Sequence, residues 1–171
     1  MSSEIRVRTD ADLPEAADAL VRVHGTDGYP VEGVADPVAW LTPPGLLSSW
    51  VVEQDGRVVG QVCVTEPRDE GAVALWLKET LGDEEEVAVL GRLFVIREAR
   101  GNTLGEKLTR TAMEYAEKIG RRLVLDVMEK DRAAMRLYER LGWEPIGSTI
   151  HTGQVPARAY VAPQNPQNSQ N

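Results

Sequence analysis

Apolar and polar positions alternate along this chain with periods that differ between segments, and each period predicts an element. EIRVRT, residues 4–9, has a period of two, which is typical of a half-buried strand. The next segment has a helical period and begins after a capping carboxylate at Asp10 or Asp12, with Pro14 in its first turn. The predicted buried face of this helix consists of Leu13, Ala17, Leu20 and His24.

A β-hairpin is the clearest local prediction. Two strand-like runs, SSWVVEQ and RVVGQVCVTE, are joined by Asp55-Gly56, a dipeptide that favours a two-residue turn. A short helix around PVAWL is predicted before the hairpin. After it, segment 68–86 is ambiguous and contains a helical fragment around VALWLKETLG. EVAVLGRLFVI, residues 86–96, is almost continuously apolar, which predicts a long strand in the centre of a sheet.

The second half of the chain alternates helices and strands. A helix is predicted over 103–119, ended by Gly120, and RRLVLDVM follows as a strand. Asp131 caps another helix, after which WEPIGSTI and PARAYVA form the last strands. This order predicts a mixed α/β sheet in one domain, residues 1–161, followed by a mobile tail at 162–171. The predicted buried stripes are Leu104, Leu108, Ala112, Tyr115 and Ile119 in the first helix and Ala134, Leu137, Tyr138 and Leu141 in the second.

Composition and charge narrow the class of protein. The 171 residues carry a formal net charge of −8, which argues against non-specific nucleic-acid binding. No apolar leader or membrane-length stretch is present, so a cytoplasmic protein that needs no membrane is expected. The single cysteine, Cys63, excludes an internal disulfide and is predicted to be a buried structural thiol. One cysteine and two distant histidines offer little for a metal site, and none is predicted.

The segment REARGNTLGEKL, residues 97–108, carries the first candidate chemistry. It joins the central strand to a helix whose first-turn N–H groups lack helical acceptors, and such a turn can bind phosphate. Arg97 and Arg100 add cations suited to phosphate oxygens. The Walker A sequence and the dinucleotide fingerprint are both absent. The residues from Thr103 to Glu106 also fit a capping box that needs no ligand, so this segment alone leaves both interpretations open.

Two segments together point to a known family. LGRLFVIREARGNTLGEKLTRTAMEYAEKIGRRLVLDV and DRAAMRLYERLGWEPIG resemble the GNAT superfamily of acetyl-CoA-dependent N-acetyltransferases. The resemblance rests on a strand ending in Leu93-Phe94-Val95 and on the turn Arg100-x-x-Thr103-x-Gly105 with its helix. It also rests on a later strand with Leu125-Asp126-Val127 and on the segment 134–143. Its strong part covers residues 87–147.

The resemblance implies a mostly antiparallel sheet with two splayed parallel central strands, here GRLFV and LVLDV, and acetyl-CoA bound between them. It assigns the CoA pyrophosphate to the backbone amides of the Arg-Gly turn. It assigns the pantetheine arm and the thioester carbonyl to the end of the first strand, where backbone donors would also stabilise a tetrahedral oxyanion. The implied acetyl-CoA-binding residues are Leu93, Phe94, Val95, Arg100, Gly101, Asn102, Thr103, Leu104, Gly105, Asp131 and Tyr138.

Some positions depart from the family pattern. Thr103 replaces a central glycine, and we expect its Cβ to be tolerated in a helical first turn. Asp131 replaces a frequent asparagine and keeps the ability to cap its helix. Trp143 replaces phenylalanine, which is a conservative change. Gly91 is nearest to a position where relatives often carry a glutamate, and we expect it to leave room for the acceptor or to permit a bulge that splays the strands.

Acetyl transfer to an amine needs a base and an acid. An amine with a pKa of ~10.4 is neutral in only on the order of one molecule in a thousand at pH 7. The leaving thiolate needs a proton, and Tyr138 matches the family position for this acid, since a phenol stays protonated at neutral pH. Glu66 and Asp126 are the candidate bases, and His24 and Glu86 are alternatives. Each of these four also has a structural or solvated interpretation.

The predicted function is transfer of an acetyl group from acetyl-CoA to a primary amine of a small molecule, without a metal. Amino acids, polyamines and amine-bearing antibiotics are all candidate acceptors. Two alternatives stay open, namely acetylation of a protein N-terminus or lysine, and a non-catalytic acyl-CoA-binding regulatory module. A homodimer is left open by the sequence. The candidates for an acceptor-pocket wall are Tyr29, Trp40, Trp50 and Trp76.

Overall fold

Seven strands and five α-helices make up the fold in the residues that the computed structural model describes, which are 2–101, 103–151 (of His151 only the backbone) and 154–164. The strands are β1 (Ser3–Val7), β2 (Leu46–Gln54), β3 (Arg57–Thr65), β4 (Val87–Val95), β5 (Arg122–Met128), β6 (Glu144–His151) and β7 (Val155–Val161). The helices are α1 (Leu13–Asp27), α2 (Pro37–Leu41), α3 (Gly71–Thr80), α4 (Leu104–Lys118) and α5 (Arg132–Arg140).

The strands form one sheet in the order β1-β2-β3-β4-β5-β7-β6. β4 and β5 run parallel from Val87↔Arg122 to Val89↔Val124, where their register ends. The pairs β1–β2, β2–β3, β5–β7 and β6–β7 are antiparallel. The predicted fold class, a mixed and mostly antiparallel sheet with a parallel central pair, is therefore confirmed. The chain groups into two units, residues 1–65 with 91–112 and residues 66–90 with 113–171.

The first unit is built on the predicted hairpin of β2 and β3. Asp55 and Gly56 both have a left-handed φ, 53° and 79°, as the two-residue turn that matches strand twist requires. β1 pairs along β2, and α1 packs against β3 and α2. The predicted short helix is also confirmed, because α2 spans PVAWL. The buried residues of α1 are Ala16, Ala17, Ala19, Leu20 and Val23.

Asp12 occupies the N-cap position of α1 but does not cap it with its side chain, contrary to the sequence prediction. Its two carboxylate oxygens each accept a hydrogen bond of 2.7 Å from the Arg6 guanidinium on β1. Thr9 donates to the same carboxylate, and Arg6 also donates to Glu53. The hydrogen bonds from Arg6 lower the pKa of Asp12 far below its ordinary value, although burial opposes this. The Asp12 carboxylate therefore binds the Arg6 guanidinium on β1 instead of the first-turn amides of α1.

The helical fragment predicted inside the ambiguous segment 68–86 is α3, which spans Gly71–Thr80 and covers β5, β6 and β7 in the second unit. A Cβ on Gly71 would lie 2.6 Å from a methyl carbon of Thr149, so the helix begins in close contact with β6. Residues of α3 and of the sheet form one buried cluster. Its members are Ala72, Val73, Trp76, Val87, Val89, Val124, Ala159 and Val161.

The buried face predicted for α4 is correct for its first three residues and wrong for its last one. Leu104, Leu108 and Ala112 are buried, but Ile119 lies beyond the helix and is exposed. Ala116 takes the fourth buried position because the face continues in steps of four residues. In α5, Tyr138 is buried as predicted, and Leu141 directly after the helix is buried as well. The predicted mobile tail falls mostly on residues 165–171, which lie outside the described residues.

Candidate active site

A left-handed residue interrupts β4 at Arg92, whose φ is +56°. Such a conformation in a strand turns the following residues out of the regular pleat, which is the geometry of a β-bulge. The sequence offers Gly91 either as room for the acceptor or as a residue that permits such a bulge. Gly91 directly precedes Arg92, does not itself have a left-handed φ, and a Cβ built on it would meet nothing within 4 Å.

Buried polar groups hold this bulge in the first unit. Gln61 on β3 has no exposed surface, and its side-chain nitrogen donates a 3.0 Å hydrogen bond to the backbone oxygen of Arg92. The side-chain oxygen of Gln61 accepts a 2.7 Å hydrogen bond from Arg8. The signal for this contact in the sequence is a glutamine inside the otherwise apolar run VVGQVCV. Cys63 is buried as predicted, and burial raises the pKa of its thiol.

The end of β4, Leu93–Val95, follows directly after the bulge. Phe94 and Val95 are buried, and the amide of Ile96 donates a 2.8 Å hydrogen bond to the carbonyl of Val59. Gly60 is required opposite this segment, because a Cβ there would lie 2.5 Å from the Phe94 carbonyl oxygen. The absence of a side chain at Gly60 lets the two backbones approach closely.

The predicted phosphate-binding turn lies between β4 and α4. After a single 3-10 turn at Arg97–Ala99, Gly101 has a φ of +86° and Thr103 a φ of +60°. Lys107 donates a 3.0 Å hydrogen bond to the Thr103 carbonyl, so Thr103 is the N-cap residue and α4 begins at Leu104. The expectation that Thr103 would adopt a helical first-turn conformation is therefore wrong. A β-branched residue in the left-handed region is strained, and a glycine would adopt the same φ without strain.

The first-turn amides of α4 follow this N-cap, and amides in that position have no acceptor within their own helix. The partial positive charge of the helix terminus acts at the same place. The implied phosphate ligands Leu104 and Gly105 belong to this turn, whereas Asn102 lies outside the described residues. This geometry is suited to an anion.

The two arginines of the turn bind an acidic partner that lies about 70 residues away along the chain and is not indicated by local sequence. Asp27, at the end of α1, pairs with Arg97 at 3.3 Å and also with Arg100. Arg100 donates a further 2.9 Å hydrogen bond to the Val95 carbonyl. Although burial opposes it, the hydrogen bond from Arg100 lowers the pKa of Asp27. Arg100 thus connects α1 to the end of β4, which gives this cation a fixed position.

Tyr138 lies on α5 in the second unit, and only 5% of it is exposed. Its ring packs on Trp143 and Tyr160, with centroids 5.5 and 6.3 Å away. Burial, and then the carboxylate of Asp131, raise the pKa of the Tyr138 phenol above its ordinary value. Asp131 caps α5 as predicted, since its carboxylate accepts a 3.0 Å hydrogen bond from the Ala134 amide. Tyr138 is therefore a neutral proton donor over a wide pH range.

Both candidate bases are engaged with other groups of the second unit. The two carboxylate oxygens of Glu66 accept hydrogen bonds from Arg121, a pair that raises the pKa of this arginine. Asp126 accepts a 3.2 Å hydrogen bond from the Ala72 amide in the first turn of α3 and a 2.9 Å one from the Thr149 hydroxyl. Each candidate base therefore also stabilises the structure of the second unit through its hydrogen bonds.

A cluster of aromatic side chains and one arginine lies at β4 in the first unit. The guanidinium carbon of Arg92 lies 4.8 Å from the centre of the Trp40 ring. Tyr29 meets Trp40 edge-on at 5.7 Å, and Phe94 lies 6.2 Å from it. Trp50 and Trp76, the other two candidates for an acceptor wall, are buried.

Other features of the described residues bear on the class of protein. A cavity of about 570 Å³ in the second unit is lined by residues that include Trp76, Arg121, Arg122 and the alternative base Glu86. Tyr138, Glu66, Asp126 and the implied acetyl-CoA-binding residues do not line it. Across residues 2–101, 103–151 and 154–164, no cluster of three or more His, Cys, Asp or Glu could hold a metal ion. Within the same part of the chain, no helix combines the length and apolar character needed to cross a membrane.

Comparison with known proteins identifies the family. A model of the acetyltransferase (GNAT) family matches residues 16–143. YjgM, an uncharacterized N-acetyltransferase of Escherichia coli (strain K12), is 34% identical over 164 residues, which cover 90% of each chain. This chain belongs to the acetyltransferase (GNAT) family, and the resemblance seen in its sequence is confirmed.

Solved structures share the fold. The ribosomal-protein-S18-alanine N-acetyltransferase of Escherichia coli superposes with a TM-score of 0.70 at 19% identity, covering 95% of this chain and 94% of that one. NAA60 of Arabidopsis thaliana, in complex with acetyl-CoA, superposes with a TM-score of 0.69 at 18% identity, covering 94% of this chain and 97% of that one. At these identities the likeness concerns the fold.

Proposed function

We propose that this chain transfers the acetyl group of acetyl-CoA to the primary amine of a small molecule. The observation that carries the proposal is the order of features along one segment of the first unit. A left-handed residue at Arg92 precedes the strand end Leu93–Val95, and left-handed Gly101 and Thr103 precede α4. Family resemblance assigns the thioester and the pantetheine arm to the strand end and the pyrophosphate to the turn.

The donor is held mainly by backbone groups in this proposal. The first-turn amides of α4 and the partial positive charge of its N-terminus favour the two phosphates. Arg100 adds a charge whose position is set by Asp27 and the Val95 carbonyl. The end of β4 supplies backbone donors for the thioester oxygen, and donors fixed before the reaction stabilise negative charge as it develops there.

The transfer itself is a direct displacement. The amine nitrogen attacks the thioester carbonyl carbon and forms a tetrahedral oxyanion, the carbon–sulfur bond then breaks, and the amine loses a proton to a base. Tyr138 donates its phenolic proton to the departing sulfur and later regains one from solvent. The support for this role is that burial raises the pKa of Tyr138, so the proton is present at neutral pH.

Glu66 and Asp126 are retained as the proposed bases, with the amine's proton passing through water. Each carboxylate keeps lone pairs beyond the hydrogen bonds described above. Glu66→Gln and Asp126→Asn distinguish them, because the variant that lacks the true base should lose most of kcat at neutral pH. The other variant should keep kcat and change the stability only.

A small acceptor is favoured by the packing beside Phe94. The rings of Tyr29 and Phe94 each pack on Trp40, which makes a compact aromatic group directly beside the proposed thioester site. Rings arranged in this way are suited to enclosing a compact molecule with an apolar part.

The proposal is tested by a screen of acceptors with acetyl-CoA, in which released CoA and the acetylated product are both measured by mass spectrometry. The panel contains amino acids, polyamines, aminoglycosides and peptides with a free N-terminus or lysine. We expect turnover with at least one small amine and a strong decrease in Tyr138→Phe. A preference for peptides would identify a protein acetyltransferase instead. Binding of CoA without turnover of any acceptor would leave only a non-catalytic module.

A further inference from the structure

The Arg92 side chain is charged, half-buried and without an acidic partner in the described residues. Its Nε is buried and has no hydrogen-bond partner there, and no ion pair among those residues includes Arg92. A guanidinium carries five N–H donors and remains charged at any physiological pH. A buried donor that lacks an acceptor is destabilising, and more so when the group is charged. Nε itself is shielded from solvent, so an anionic ligand would meet the terminal nitrogens of the guanidinium, which are not among the buried unpartnered atoms.

The surroundings hold the guanidinium in one place. It stacks on Trp40 at 4.8 Å, and the Trp40 indole nitrogen donates a 2.8 Å hydrogen bond to the Glu32 carboxylate. Tyr29 and Phe94 contact the same indole. A cation stacked on an aromatic face keeps its N–H groups directed outward in the plane of the guanidinium, where a carboxylate can accept two of them.

The backbone of Arg92 is also held at an energetic cost. A left-handed φ in a residue with a long side chain costs about 1–3 kcal/mol and persists only where surrounding contacts enforce it. Here the enforcing contact is the fully buried Gln61, which is itself bound to Arg8. Strained residues of this kind cluster at ligand-binding sites. Both the backbone and the side chain of Arg92 are therefore fixed before any ligand binds.

Arg92 directly precedes Leu93–Val95, the segment to which the proposed function assigns the thioester. The pyrophosphate is assigned to residues 100–105, so an anion at Arg92 would belong to the other substrate. We propose that Arg92 binds a carboxylate of the acceptor, and that the acceptor is an α-amino acid with its side chain against Trp40 and Tyr29. This inference rests on the proposed function. It disfavours polyamines and aminoglycosides, because the guanidinium repels additional positive charge.

The test compares acceptors in matched pairs that differ only in the carboxylate. Suitable pairs are L-methionine with 3-(methylthio)propylamine and L-phenylalanine with phenethylamine, each also assayed as the amino-acid methyl ester. The measurement is kcat/KM with saturating acetyl-CoA. For the better amino acid we expect a value about 10- to 100-fold above those of its amine and its ester, the range for loss of one charged hydrogen-bonded pair. Equal or higher values for the carboxylate-free amines would overturn the inference and leave the proposed function intact.

Substitution of Arg92 tests whether this residue binds the acceptor carboxylate. Arg92→Gln should raise the KM for the amino acid about 10- to 100-fold and should raise the KM for the carboxylate-free amine and for acetyl-CoA much less. Arg92→Lys should recover part of the loss, since it restores the charge without the planar pair of donors. Arg57→Gln, at the exposed start of β3, is the matched control and should change none of these values.

Two further results contradict the inference. If Arg92→Gln raises the KM for acetyl-CoA as much as that for the acceptor, Arg92 belongs to the donor site. If the wild-type protein acetylates no amine in the panel, the proposed function itself fails. Circular dichroism and the thermal transition of Arg92→Gln show whether a lost activity reflects unfolding, and the carboxylate-free amine then serves as the internal reference.

Discussion

The side-chain nitrogen of Gln61 donates a 3.0 Å hydrogen bond to the backbone carbonyl of Arg92, the left-handed residue of β4. The carbonyl that the bulge removes from the regular strand pairing is thereby satisfied inside the protein. Gln61 contacts none of the proposed reacting atoms, so it is a positioning residue. Its role is to keep the end of β4 in the geometry that the thioester needs.

Replacement of Gln61 by leucine tests this role. Gln61→Leu leaves the Arg92 carbonyl and the Arg8 guanidinium without their buried partner, so we expect the free energy of unfolding to fall by about 1–3 kcal/mol. Below the transition temperature, kcat should also fall because the bulge relaxes. Urea denaturation and steady-state kinetics measure the two effects.

Gln54→Leu, at the hairpin end of β2, changes the same residue type away from the bulge and serves as the control. It should leave kcat unchanged. If Gln61→Leu loses stability but keeps full kcat, Gln61 supports the fold and has no part in positioning β4.

Tyr138→Phe should lower kcat by about 10²-fold or more, the usual contribution of a general acid, with little change in the KM for acetyl-CoA. Burial raises the pKa of Tyr138, so the acid form persists to higher pH than in a free phenol of pKa ~10. The wild-type kcat should therefore show no decline below pH ~10 that comes from this group.

The control for Tyr138 is its neighbour Tyr160, whose hydroxyl donates a 2.6 Å hydrogen bond to Glu139. Tyr160→Phe should cost stability and leave kcat unchanged. An alkaline limb near pH 8 in the wild type that disappears in Tyr138→Phe would show a lowered pKa, contrary to this prediction.

Thr103→Gly should stabilise the protein. Thr103 has a φ of +60°, which glycine adopts without the clash of a Cβ, so we expect a gain of about 0.5–1 kcal/mol and a rise in Tm of about 1–4 °C. The affinity for acetyl-CoA, measured by calorimetry, should be unchanged or tighter because a smaller residue then lies beside the proposed pyrophosphate site.

Thr111→Gly, on a half-buried position inside α4, is the matched control and should lower the Tm, since glycine disfavours a helix interior. A tenfold or greater loss of acetyl-CoA affinity in Thr103→Gly would identify the threonine hydroxyl as a phosphate ligand. That result would show that the main effect of Thr103 is ligand binding and not backbone strain.

Asp12→Asn should destabilise the first unit in a pH-dependent way. Because the folded-state pKa of Asp12 is lowered, its carboxylate contributes fully above the unfolded pKa of ~3.9 and loses that contribution as the pH falls through the lower folded value. At pH 7 we expect the free energy of unfolding of Asp12→Asn to be about 1–3 kcal/mol below that of the wild type, and this difference should become smaller below pH ~4. Urea denaturation at several pH values measures it.

Asp10→Asn in the same turn is the control, because Asp10 is exposed. Its stability should differ little from that of the wild type at any pH. A loss in Asp12→Asn that is constant from pH 7 to pH 3 would show that the ion pair with Arg6 does not carry the effect.

Much of the local structure could be predicted from the sequence because its causes lie close together along the chain. Asp55-Gly56 specifies its turn by the left-handed φ of both residues, and Asp131 caps α5 three residues before Ala134. The family was likewise readable, since the segments around Leu93–Val95 and Tyr138 keep their spacing. Periods of two and of 3.6 residues express which face is buried, and no distant partner is needed to see them.

The partners of the charged and polar side chains were decided only by the tertiary structure. Gln61 meets Arg92 across 31 residues, Arg100 meets Asp27 across 73, and Asp126 meets Ala72 across 54. These contacts fix the backbone of Arg92, the Arg100 guanidinium and one of the two carboxylates that the sequence offered as bases. The sequence alone determined the elements and the family, because hydrophobic periods and turn residues act locally. Packing of distant segments determined which polar groups meet, since a buried group must find its partner wherever the chain brings one.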